Sequence, residues 1–164
     1  MATELYDLTA PAFTRGLNAL SGLLDKAVDH ADAEADGLLG RRLIEDMHPL
    51  AKQVQIACDS AKLCITRLSG VSAPVMEDTE TTIEELKARI RATLDYIASV
   101  PRETIDGQEG KEVVLKFPGG EWPFTGVGYV LGFALPNFYF HLTTAYGLLR
   151  QAGVPIGKRD YMAG

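Results

Sequence analysis

From Thr125 to Gln151 the chain reads TGVGYVLGFALPNFYFHLTTAYGLLRQ, apolar on nearly every side. A helix without a broad polar face belongs in a core or in a membrane. This one runs to about 27 residues, roughly 40 Å as a helix. Gly126, Gly128, Gly132 and Pro136 interrupt it, and Asn137 and His141 sit inside it. That pattern suits the buried central helix of a bundle better than a membrane span. Thr125 is placed to cap the helix and Gly153 to close it. Pro136 is expected to kink it, because proline lacks a backbone donor and crowds the residue four back, Gly132.

Three earlier segments carry a helical period. Phe13, Leu17, Leu20, Leu24, Ala27 and Ala31 recur at steps of three and four, so a first helix is expected from near Thr9, with Pro11 in its first turn. Residues 32–48 connect, with a short helical turn near Gly37–Gly40. After His48-Pro49, a stripe of Leu50, Val54, Ala57, Cys58, Ala61, Cys64, Ile65 and Leu68 predicts a second helix ending at Ser69-Gly70. Gln53 flanks that stripe, whereas Gln55 and Asp59 point away from it. Val71–Glu80 reads as a loop. Thr82 with Glu85 forms a capping box, as Thr81 does with Glu84 one residue earlier. Ile83, Leu86, Ile90, Leu94 and Ile97 then mark a third helix ending near Val100-Pro101. Glu84, Glu85, Lys87, Arg89 and Arg91 are read as its solvated outer face.

Between the third helix and the last the pattern changes. Glu112–Phe117 is a strand candidate, Pro118-Gly119-Gly120 a turn, and Glu121–Phe124 a returning strand that Pro123 confines to an edge. A lone hairpin is marginal, so Trp122 and Phe117 are expected to pack it on the helices. The tail Val154–Gly164 is expected to lie on the domain or on a second subunit. The order helix, helix, helix, hairpin, helix predicts an all-α four-helix bundle with a small β-hairpin before the last helix.

At 164 residues, 1–164 is read as one domain. A net charge of −6 without any Lys/Arg cluster argues against nucleic acid as a partner. The N-terminal segment carries Glu4 and Asp7 and no apolar run, so no secretory signal is expected. Cys58 and Cys64 lie roughly 120° apart on a helix, which disfavours a disulfide and suits two small buried residues. A reducing, cytoplasmic location follows from that reading.

Asn137, His141 and Thr144 fall at i, i+4 and i+7, forming one polar line on the most apolar helix. Polar groups at core depth need partners, and Gln53, Tyr139, Tyr146 or backbone are available. The candidate ligand pocket is therefore Asn137, His141, Thr144, Gln53 and Tyr146. His30 and His48 read as surface histidines. No nucleophile motif, phosphate loop or H-E-x-x-H is present.

The segments Asp46–Asp59, Gly132–Tyr146 and Gly157–Tyr161 resemble an uncharacterised bacterial family placed among the DinB/YfiT-like bundles, over essentially the whole chain. The resemblance implies an up-down-down-up four-helix bundle, frequently homodimeric, in the bacterial cytoplasm. Better-known members bind a divalent metal such as zinc or nickel through one histidine of the second helix and an H-x-x-x-H pair of the last. Some are thiol-dependent transferases. Here the last-helix pair reads Asn137-x-x-x-His141. The second-helix position falls to His48 at the start of the helix, or to Gln53 or Gln55 within it. The resemblance thus implies a degenerate metal site made of His141, Asn137 and His48. The expected function is a small-ligand-binding or structural dimer; the alternative is a metal-dependent enzyme such as a thiol transferase.

Overall fold

The computed structural model describes residues 4–164. Helix α1 spans Leu5–Ala31, and a 3-10 segment, Asp32–Gly40, leads toward α2, Leu50–Ser69. Helix α3 is Ile83–Ser99. The antiparallel strands β1 (Glu112–Phe117) and β2 (Gly120–Thr125) follow, then α4 (Gly126–Tyr129), a π turn (Val130–Ala134), α5 (Leu135–Gln151) and α6 (Lys158–Met162). The four long helices form an up-down-down-up bundle. Around its axis α1 lies beside α3 and α5, and α2 packs against the same two. The parallel neighbours α2 and α3 require a long crossover, which residues 70–82 supply.

The apolar stripes make the core. Phe13, Leu17, Leu20 and Leu24 of α1 meet Val54, Cys58, Ile65 and Leu68 of α2, Leu86 and Ile90 of α3, and Phe138 of α5, all fully buried. Each such large side chain contributes ~1.5–3 kcal/mol relative to exposure. Gly16 lets α5 approach α1, since a Cβ there would lie 2.5 Å from the Phe138 ring. Helix α2 ends as expected on Gly70, whose φ of 77° lets its N–H bond the Thr66 carbonyl.

Local signals at helix ends are reproduced. The Thr82 hydroxyl accepts from the Glu85 N–H, and the Glu85 carboxylate accepts from the Thr82 N–H, at 3.2 and 3.1 Å. Thr125 caps α4 by accepting from the Gly128 N–H. The strain expected at Pro136 is taken up by the π turn just before it, where the Leu135 N–H reaches the Val130 carbonyl. That wider turn relieves the crowding of the proline ring against the preceding carbonyls.

Three expectations are corrected. Helix α1 begins at Leu5 rather than near Thr9, so Pro11 lies inside it. Its first turn is satisfied by Asp7, and by Asp106 from beyond α3, which accepts from the Tyr6 N–H at 3.0 Å. Trp122 does not anchor the hairpin on the helices. It is 56% exposed and stands edge-on to Phe117, and the inward side chains of the hairpin are Val113 and Leu115. Arg89 is not on a solvated face: it is 4% exposed, beneath the 71–80 crossover. The tail does fold onto the domain, with α6 against α1 through the Lys26–Asp160 ion pair. Among the described residues no helix is long and apolar enough to cross a membrane.

Candidate functional site

The polar line of α5 faces α2, and the two helices meet at two separate contacts. At the first, His141 is 8% exposed, and its Nδ1 lies 2.6 Å from Oε1 of Gln53. The Gln53 amide nitrogen donates to the His48 carbonyl at 3.0 Å, which turns its oxygen toward the imidazole. That oxygen can only accept, so Nδ1 carries the ring proton and Nε2 the lone pair. Burial, reinforced by the neighbouring His48, lowers the His141 pKa from 6.5 to about 4. The imidazole is therefore neutral near pH 7.

At the second contact the Asn137 amide nitrogen donates to the Ser60 hydroxyl at 2.7 Å, and Ser60 donates to the Ile56 carbonyl at 2.7 Å. The direction of that relay fixes the carboxamide and leaves its oxygen as an unspent acceptor. Gln53 and Ser60 are two turns apart on α2, whereas Asn137 and His141 are one turn apart on α5. The pair therefore does not converge on one point.

Other predicted members lie elsewhere. Thr144 turns its hydroxyl back to the Phe140 carbonyl at 2.7 Å. Tyr146 packs edge-on against Tyr161 beside Thr143 and Lys158, on another face of α5. His48 offers Gln53 its backbone carbonyl, and the residue is exposed.

Asn137 and Ser60 instead line a groove of about 220 Å³ between α2, the hairpin and the start of α5. Its walls include Leu63, Leu115, Phe117 and Phe133. At its far side Arg67 donates through Nη1 to the Tyr129 hydroxyl at 2.7 Å, with its guanidinium 5.5 Å from the Tyr129 ring centroid. Burial pushes the Tyr129 phenol up to about 12, so it keeps its proton. Ser60, Arg67 and Tyr129 escaped the sequence reading. A signal was present, because Gln53, Ser60 and Arg67 recur at seven-residue steps and so share one face of α2.

The donor set does not fit a divalent ion of the zinc or nickel kind. Such ions favour imidazole and thiolate, and a carboxamide oxygen is a weak ligand. His141 is the one imidazole on this seam, and Asn137 directs its nitrogen to Ser60. Cys58 and Cys64 are free thiols, both pushed up to about 12 by burial, so neither offers a thiolate. Among the described residues no group of three His, Cys, Asp or Glu is arranged to hold a metal.

On the opposite flank of α2 lies the charge that the sequence pattern concealed. Arg89 pairs with Asp59 at 3.0 Å, Asp78 at 2.9 Å and Glu80 at 2.9 Å. Gln55, buried rather than pointing to solvent, donates to Glu80 at 2.8 Å. Lys62 also reaches Asp59, at 3.1 Å. This network ties the crossover to α2 and α3.

Residues 5–162 match the family model described as a domain of unknown function, DUF1993. A crystal structure described as a DinB family member protein from Shewanella denitrificans is similar at a TM-score of 0.87 and 39% sequence identity. The match covers 98% of this chain and 92% of that one. No curated protein matches.

Proposed function

This chain belongs to the DUF1993 family of DinB-like bundles, and from that premise we propose that it binds a small organic molecule without a metal. The observation that carries the reading is the groove of about 220 Å³, which has apolar walls and two oriented polar pairs, Asn137–Ser60 and Arg67–Tyr129. Concave, mostly apolar sites with a few placed polar groups are the usual form of small-molecule sites. Ser60 gives its proton to a helix carbonyl rather than to a base, which favours binding over nucleophilic chemistry.

His141 and Gln53 serve the seam between α2 and α5 as a neutral pair. Homodimerisation belongs to the same reading. Of the apolar run Phe138-Tyr139-Phe140, which favours association of two copies, Phe138 is enclosed and Phe140 is 54% exposed. The surface available to a partner is therefore Phe140, not the whole run. Light scattering at micromolar concentration checks it, and a monomer would remove that part.

Elemental analysis of protein purified without an affinity tag tests the rest. Metal well below one per chain is expected, unchanged in His141→Ala. Stoichiometric metal that disappears in that variant would favour the divalent-metal-dependent thiol transferase instead. Amide shifts confined to Ser60, Leu63, Phe133 and Asn137 on titration with small apolar molecules would support the groove.

A further inference from the structure

The chemistry at the two ends of the groove points to a class of ligand, and the argument rests on the binding reading above. Arg67 is half-buried and uses one nitrogen on Tyr129. No carboxylate among the described residues pairs with its guanidinium, whereas Arg89 has three such partners, Arg102 two and Arg91 one. The remaining N–H donors of Arg67 have no partner among the described residues, and the residue lines the groove. Tyr129 accepts from Arg67, so its own hydroxyl proton is left to donate. The one acidic side chain that lines the groove, Asp59, is ion-paired with both Arg89 and Lys62, and Lys116 lines the groove as well. Asp59 does not cancel the positive end.

A guanidinium fork beside a phenol O–H forms a ready site for a planar anion. Leu63, Phe117 and Phe133 offer apolar contact beyond it, and Asn137 leaves an acceptor oxygen at the α5 end. We infer that the groove takes a small organic carboxylate with a compact apolar body, its carboxylate on Arg67 and Tyr129. At about 220 Å³ the space is below the range for drug-sized ligands. A single ring or a short branched chain fits it.

The probes are benzoate, its uncharged analogue benzamide, and inorganic phosphate. Each is titrated against the full chain, following backbone amides and the side-chain N–H signals of Arg67 and Asn137. Benzoate should shift Arg67 Nε–H and groove amides and bind about tenfold or more tighter than benzamide, the gain expected of a charge-assisted hydrogen bond. Arg67→Gln should abolish that preference and Arg67→Lys should retain part of it, with thermal unfolding confirming that both variants fold. Equal binding of benzoate and benzamide in the groove overturns the carboxylate inference and leaves the binding reading standing. Phosphate binding as tight as benzoate shows a general anion site and overturns it too. No groove shift with any probe sinks both readings.

Discussion

The two flanks of α2 handle buried polarity in opposite ways. Where α2 meets α5 directly the hydrogen-bonded pairs are neutral: a glutamine holds an imidazole, and a serine holds a carboxamide. Toward α3 and the crossover, one guanidinium is shared among three carboxylates. Water access accounts for the difference. The carboxylates around Arg89 are 11% to 37% exposed and remain partly hydrated, so the withdrawn charges are the cations Arg89 and Lys62. Near His141 a second charge has no such outlet, and burial holds the ring neutral. Neutral groups can be paired one to one inside a helix seam, whereas charge is tolerated where its partners keep a path to solvent.

The largest expected effect breaks the charged flank. Arg89→Met leaves three carboxylates facing one another and should cost ~3 kcal/mol, the low end for a broken buried pair because the carboxylates reach water. Urea unfolding measures it, and limited proteolysis should cut within residues 71–80 in that variant. His141→Ala should cost less, ~2 kcal/mol for a lost buried hydrogen bond and the space left behind. A reversed order would mean that the neutral seam, not the charged latch, holds the bundle.

Acid separates the flanks further. The folded-state pKa of His141 is lowered to about 4 from 6.5. Between those values the unfolded chain binds a proton that the folded chain refuses, so stability declines as pH falls from 6.5 toward about 4. His141→Ala should remove that slope, and an unchanged slope would exclude the buried neutral imidazole as its source. The carboxylates act lower. Lys52 and Arg89 hold Asp78 below its ordinary 3.8. Burial alone would raise Glu80, but Arg89 and Gln55 outweigh it and hold the group below 4.5. Their contribution is intact above those ordinary values and is lost as pH falls below them. Arg89→Met should flatten this second, more acidic decline and leave the first. The smallest effect belongs to neither flank: Trp122→Ala on the exposed hairpin should cost only ~0.5 kcal/mol by urea unfolding, the loss of one aromatic edge contact.

Most of the scaffold was legible because it is written in local periods. The 3.6-residue stripes of α2 and α3, the hairpin ends and the caps at Thr82 and Thr125 depend on residues within a few positions of one another. The start of α1 was misjudged because Asp106, roughly a hundred residues away, helps to satisfy its first turn. Arg89 was misjudged because only the returning crossover makes its side of α3 an inside. Thr93, also buried and one turn on, was the local hint that the stripe is wider than its apolar members.

The sequence by itself determined that three amphipathic segments and one largely apolar one must cover one another, and that Asn137 and His141 would share one face of the last, with His141 at core depth. Burial follows from periodicity, and periodicity is local. Which partner each polar group meets was decided only by how α5 lies against α2. That register sends His141 to Gln53 and Asn137 to Ser60, two turns apart on α2, and so forms a groove ending at Arg67 in place of a single converging site. A hydrogen bond needs two atoms within about 3 Å, and their separation across two helices is a property of the packed bundle rather than of either strip of residues.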